Sequence, residues 1–229
     1  MIKTDTFKYG FKSMFPVVPG MIPFGLIMGT VGITSGLSLP ETMGLNFLVF
    51  GGASQLVAVD LMTKNTSSYL IIFTGIIINL RFILYSAANS VFLKECSFLF
   101  KLMGAYLLTD QSYAVTSAKE TELRSNTERI HFYFGCGLCM FVFWNLSVLL
   151  GCLFGNIVPS SLSLDFAVPL SFMALTIPAL KSKSYYFIAV QSLVLSILFI
   201  NLPFNLGLIV TASLGIFSSY LFIKFKRKI

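Results

Sequence analysis

Charge is what this sequence has least of. Only 11% of its residues are Asp, Glu, Lys or Arg, against about 25% in a soluble domain. Hydrophobic residues make up 56%, and the mean hydropathy is +0.85. So few charged groups cannot cover a water-facing surface, which excludes a soluble globular fold and makes the lipid bilayer the matching solvent. Histidine is nearly missing, with His131 alone. An intramembrane enzyme would want a metal-ligand set or an acid–nucleophile pair near histidine, and no such constellation is visible. Cysteine is sparse. Cys136 and Cys139 form a C-x-x-C, but within the apolar run FYFGCGLCMFVFW and with no second pair to complete a zinc set. They read as small apolar residues of a helix, and neither metal, disulfide nor cofactor is expected.

The net charge is +7, yet the basic residues are scattered at the ends of apolar runs. They make no basic face with interleaved aromatics, so nucleic acid is not an expected partner; orientation in the membrane is the better use for them. Lys3, Lys8 and Lys12 precede an apolar stretch too long for a signal sequence and interrupted by Pro16, Pro19 and Pro23, which reads as a first span.

The 229 residues suit a single integral membrane domain, 1–229. A crossing takes about 20 apolar residues, and the pattern predicts an all-α polytopic bundle of about eight spans: 14–36, 42–62, 68–91, 97–117, 131–155, 165–180, 184–200 and 203–223. The sixth and seventh are short, so seven crossings stay open. With both termini cytoplasmic, 13 of the 16 Lys and Arg residues fall on the inner side, as the positive-inside rule requires. The polar connection 118–130 joins four-span halves 1–117 and 131–229, and Glu120 and Arg124 at i and i+4 point to a helical extension there.

Polar groups at membrane depth are costly and therefore candidate site residues. In PVVPGMIPFGLIMG, Pro23, Phe24 and Gly25 lie in a segment rich in helix breakers, read either as a broken span whose freed backbone groups bind a ligand or as a kinked packing helix. FGGASQ carries Ser54 and Gln55, with Gly44, Phe47, Gly51, Gln55 and Ala58 on one face of a single helix. In INLRFILYS, Asn79 precedes Arg81, which lies about 13 residues, or roughly 20 Å, into its span. In LLTDQSYAVTS, Asp110 comes within reach of the same depth from the opposite direction, beside Gln111. Asn145, next to Trp144, is a further candidate.

Taken together these segments resemble the AzlC family, the large subunit of branched-chain amino acid exporters. PFG (Pro23 to Gly25) is similar to its first-span signature, and FGGASQ to its F-A-G-A-S-Q with glycine in place of an alanine. NLR (Asn79 to Arg81) resembles N-L-R-H with Phe82 in place of histidine, and TDQSYA resembles T-D-E-x-F-A with Gln111 in place of glutamate. WNLSVLLGCLFG and DFAVPLSFMALTIP are like its later segments. Phe82 and Gln111 each remove a titratable group common in the family.

The resemblance implies a secondary transporter of the cytoplasmic membrane. It implies export of valine, leucine, isoleucine and, by extension, methionine, driven by protons, with a small AzlD-type membrane subunit as partner. An amino acid zwitterion would then place its carboxylate on Arg81 or the broken first span, its ammonium on Asp110 with Gln55 and Asn79, and its side chain near Phe24. A channel, a transporter of another solute and a non-transporting structural subunit are the other readings.

Overall fold

The structure is a computed structural model, and it describes residues 4–154, 177, 180, 183–202 and 206–226. All its regular elements are helical: α1 (Thr4–Ser13), α2 (Val18–Thr34), α3 (Leu39–Leu48), α4 (Gly52–Thr63), α5 (Ser68–Asn79), α6 (Arg81–Leu93), α7 (Phe98–Tyr106), α8 (Asp110–Ala118), a 3-10 turn (Glu120–Glu122), α9 (Asn126–Phe154), α10 (Lys183–Leu198) and α11 (Leu206–Lys226).

The 29-residue α9 is the axis of the bundle. At 1.5 Å per residue it is about 44 Å long, more than a ~30 Å hydrocarbon core requires. Helices α1 and α2 pack along it, and glycines set how closely. A Cβ at Gly10 would come within 2.1 Å of the Phe132 carbonyl oxygen, and one at Gly135 within 2.1 Å of that of Phe7. Higher up, Gly29 faces the Val148 carbonyl at 2.1 Å and Gly151 that of Leu26 at 2.3 Å by the same measure. Backbones that touch gain dispersion contacts lipid cannot match, which is how small residues join helices in membranes. Met14, Met21, Phe24, Met28, Phe132 and Trp144 fill the core between these helices. Cys136 and Cys139 are buried free thiols of α9, and the Cys136 thiol donates to Gly10 O at 3.3 Å.

The expected eight spans are overturned. Among the described residues α9 alone is long and apolar enough to cross by itself; there are up to three crossings if the bent pairs α1–α2 (68°) and α5–α6 (44°) each count as one. The expected span 42–62 is two helices, α3 and α4, parted at Val49–Gly51, so the single face drawn through Gly44, Gln55 and Ala58 does not exist. Likewise 97–117 is α7 and α8, parted at Leu107–Thr109, and 68–91 bends at Leu80. Segment 184–200 yields the 16-residue α10, about 24 Å long and short of the core thickness. Segment 165–180, apart from residues 177 and 180, lies outside the described residues. The reason is common to these cases. Hydropathy registers apolarity and is blind to backbone direction, and the residues at the breaks (Val49, Phe50, Leu107, Leu108) are themselves apolar.

Two smaller expectations also change. The bend in the first segment precedes its glycines. It lies at 14–17, after which α2 runs unbroken through Pro23, with Pro19 in its first turn where no intrahelical N–H donor is needed. In the connection 118–130, Glu120 and Arg124 do not share a helix: α8 ends at Ala118, a 3-10 turn covers Glu120–Glu122, and helix resumes only with α9 at Asn126. Arg129 pairs with Glu120 at 2.9 Å, and the Glu128 carboxylate accepts from the Arg124 N–H at 3.0 Å.

Candidate functional site

Three of the helix breaks meet. The first two residues of α4 (Gly52, Ala53), of α6 (Arg81, Phe82) and of α8 (Asp110, Gln111) all line one cavity, closed by Phe24 of α2, by Phe50, and by Met140 and Trp144 of α9. The opening N–H groups of a helix have no intrahelical acceptor, and the aligned peptide dipoles leave partial positive charge at that end. Of the three starts, only that of α8 has a side-chain cap. Thr109 caps α8 by accepting from the Ser112 N–H at 3.1 Å, and the Ser112 hydroxyl accepts from the Thr109 N–H at 2.9 Å. Gly51 approaches α4 in an extended conformation, and a Cβ on Gly52 would lie 2.6 Å from the Trp144 ring and 2.9 Å from that of Phe24.

Among the described residues, Arg81 and Asp110 supply the only charges on this wall. Arg81 Nη2 lies 3.3 Å from Asp110 Oδ2, and the Tyr85 hydroxyl donates to Asp110 Oδ1 at 3.0 Å. The side chains are 23% and 17% exposed, and Arg81 Nε is buried with no hydrogen bond. The pair is therefore incompletely satisfied: the guanidinium has a donor to spare. Gln111 is only 7% exposed, lines the cavity, and finds no side-chain partner among the described residues. The cavity itself is about 30 Å³, room for a water but not for an amino acid.

The other predicted residues divide. Asn79 Nδ2 donates to Ser54 Oγ at 3.0 Å, tying the end of α5 to the start of α4 just behind the cavity, and Asn79 Oδ1 is buried without a partner. Gln55 and Asn145 sit in a separate network centred on Asn46. Trp144 Nε1 and Gln55 Nε2 donate to Asn46 Oδ1 at 2.7 and 3.2 Å, and Asn46 Nδ2 donates to Asn145 Oδ1 at 2.7 Å. Gln55 also donates to the Val49 carbonyl, exposed by the break. This network fixes Trp144 against α3 and α4, and Gln55 and Asn145 themselves do not line the cavity. Pro23 and Gly25 do not line it either, and Gly25 packs on Ser147 of α9.

Sequence reasoning missed Asn46, fully buried, although an asparagine in an apolar run was a signal of the kind used for Asn79. It also missed Phe50 and Tyr85, the latter stacked on Tyr113 with ring centroids 4.5 Å apart. Phe82 and Gln111, the departures from the family pattern that each remove a titratable group, both lie on the cavity wall. Among the described residues no three His, Cys, Asp or Glu side chains gather as metal ligands.

A helical bundle around an apolar spanning helix, with an ion pair enclosed where broken helices meet, is that of an integral membrane protein. The chain belongs to the AzlC protein family, which matches it over residues 16–158. It is 31% identical over 189 residues to an uncharacterized membrane protein of Archaeoglobus fulgidus, covering 79% of each chain. It is also 23% identical to the inner membrane protein YgaZ of Escherichia coli, over 78% of this chain and 75% of that one. An uncharacterized membrane protein of Helicobacter pylori is 22% identical, over 69% and 68%. No solved structure matches.

Proposed function

We propose that the chain is the large subunit of a secondary transporter that exports branched-chain amino acids across the cytoplasmic membrane, together with a small AzlD-type membrane subunit. The observation that carries this reading is the Arg81–Asp110 pair set among three helix N-termini beside Phe24, Phe82 and Trp144. A zwitterion can open such a pair and satisfy both halves. Its carboxylate takes the Arg81 guanidinium, which can present two N–H groups to it, and the free N–H groups of the helix starts. Its ammonium takes Asp110 as Tyr85 yields. The aromatic wall accepts an aliphatic side chain and has nothing to satisfy a polar one. Gln111 and Asn79 offer neutral hydrogen bonds near the ends of the ligand.

Coupling to protons falls to Asp110. With Phe82 and Gln111 where the family commonly has titratable groups, it is the only carboxylate on the cavity wall among the described residues. A proton and an ammonium compete for one carboxylate, which is the requirement for exchanging an inward proton for an outward amino acid. The connection 118–130, with Lys119, Arg124 and Arg129, is assigned to the cytoplasmic side by its basic residues.

The test is efflux from cells fed dipeptides of valine, leucine, isoleucine and methionine, comparing cells with the chain, with the small subunit, with both and with neither. Faster efflux with both supports the reading. Unchanged efflux in all four, with both proteins shown to be in the membrane, overturns the substrate assignment.

A further inference from the structure

A second cavity lies along the same helix. It measures about 140 Å³ and is walled by Asn89 and Phe92 of α6, by Tyr113 and Thr116 of α8, and by the Glu120–Arg129 pair at its mouth. Asp110 and Gln111 on the first turn of α8 line the central cavity; Thr116, six residues and about 9 Å further along, lines the second. Asn89 is 4% exposed and Thr116 5%. Neither the Asn89 amide nitrogen nor the Thr116 hydroxyl forms a well-made hydrogen bond, although the Tyr133 hydroxyl and the Cys136 thiol lie near them. Buried polar groups whose hydrogen bonds are poorly aligned, on residues that wall a cavity, can turn toward a polar ligand.

The two cavities share a chemistry. Each combines an arginine–carboxylate pair, a buried neutral amide (Gln111 in one, Asn89 in the other) and aromatic walls. Between them stand Tyr85 and Tyr113, stacked on one another, with Tyr85 donating to Asp110 and Tyr113 facing the second cavity. The sizes differ in the useful direction. A closed apolar cavity of roughly 150 Å³ holds a molecule the size of benzene, so the second cavity has room for an aliphatic side chain and the central one, as it stands, does not.

We infer that the cavity between α6, α8 and the connection is a second binding site for the same class of ligand, a zwitterionic amino acid with an aliphatic side chain, and that the Tyr85–Tyr113 stack separates it from the central site. Glu120 and Arg129 take the ammonium and carboxylate at the mouth, Asn89 and Thr116 supply hydrogen bonds deeper in, and Phe92 and Leu123 hold the side chain. With the connection on the cytoplasmic side this is where an exported molecule loads. When it passes inward, its ammonium competes with Tyr85 for Asp110, so ligand arrival at the central site loosens the stack that divides the two. The inference rests on the proposed substrate class.

The test is equilibrium binding of radiolabelled leucine to the full-length chain in lipid nanodiscs, with and without the small subunit. Two leucines per chain in the wild type are expected, with one retained in Arg81→Gln. The retained one should weaken at least tenfold on adding the isosteric Thr116→Val, or the surface change Glu120→Gln should Thr116→Val fold poorly. One leucine per chain, lost in Arg81→Gln and indifferent to Thr116→Val and Glu120→Gln, overturns the second site and leaves the central one standing. No leucine bound to the wild type in either preparation overturns both.

Discussion

The indole N–H of Trp144 donates to Oδ1 of Asn46 at 2.7 Å, and Asn46 is completely buried. The same oxygen accepts from Gln55, and the Asn46 amide donates to Asn145, so one side chain fastens α9 to α3 and α4. Asn46→Leu leaves the indole and the Asn145 oxygen without a partner, while the Gln55 amide keeps its backbone acceptors. Each buried group so stranded costs about 1–3 kcal/mol. The expected outcome is a clear drop in thermal stability in detergent, larger than that of Asn145→Leu, which removes a single link of the network. Thermal melts of the purified variants check it.

Trp144 is the only tryptophan of the chain and lines the central cavity. Its emission therefore responds to changes in that cavity. Titration with leucine should change intrinsic fluorescence saturably, and the decarboxylated analogue isoamylamine should not, because it lacks the group that Arg81 and the helix starts receive. An equal response to both compounds would remove the carboxylate from the recognition scheme.

Arg81 and Asp110 are enclosed enough that removing one charge strands the other, a change that costs several kcal/mol when a pair is buried. Asp110→Asn and Arg81→Gln are each expected to reduce both membrane yield and export, the latter more than tenfold. In the double variant the stranded charge is gone. Yield should recover while export stays lost. Recovery of export along with yield would make the pair structural only.

Gly29 and Gly44 give a matched pair. A Cβ at Gly29 meets the Val148 carbonyl oxygen at 2.1 Å, whereas one at Gly44 meets nothing within 4 Å. Gly29→Ala must push α2 from α9 and should destabilise by about 1–3 kcal/mol. Gly44→Ala should be neutral or stabilise α3 by up to about 1 kcal/mol through helix propensity. Melting temperatures of the two variants should move in opposite directions or, at the least, differ by several degrees.

At the connection, Glu122 accepts from Lys119 and from the Tyr9 hydroxyl, both at 2.7 Å. The Lys119 hydrogen bond, with that of Tyr9 behind it, holds the Glu122 carboxyl below its ordinary value, and Glu122 raises Lys119 in turn. A lowered carboxyl contributes stability that is present above the ordinary carboxylate value and is lost as pH falls through the lowered one. A raised lysine contributes stability that is lost only as pH rises through its raised value. The wild type should therefore exceed Glu122→Gln in melting temperature at neutral pH, and the difference should vanish in acid below the carboxylate range. A difference that persists there would assign the effect to packing rather than charge. Both side chains are exposed, so salt should shrink it.

Some of the site was legible before the fold. Arg81 and Asp110 approach one depth from opposite directions along the chain, and that alone placed them together. The roles of Gln55 and Asn145 were not legible, since which way an amide turns depends on a break at Val49–Gly51 that apolar residues conceal. Tyr85 was passed over because a tyrosine in an apolar run is unremarkable until the carboxylate it meets is known.

The sequence by itself determined that the chain is helical and lives in lipid, because so little charge leaves no other solvent, and it determined the family, because ordered short motifs survive in the linear string. It also singled out the residues whose burial had to be compensated. Only the tertiary structure decided how many helices run unbroken, and that three of them begin at one point. Apolar composition sets which solvent a segment prefers, while the direction of its backbone is set by the neighbours that accept or withhold hydrogen bonds, and those neighbours are distant in sequence.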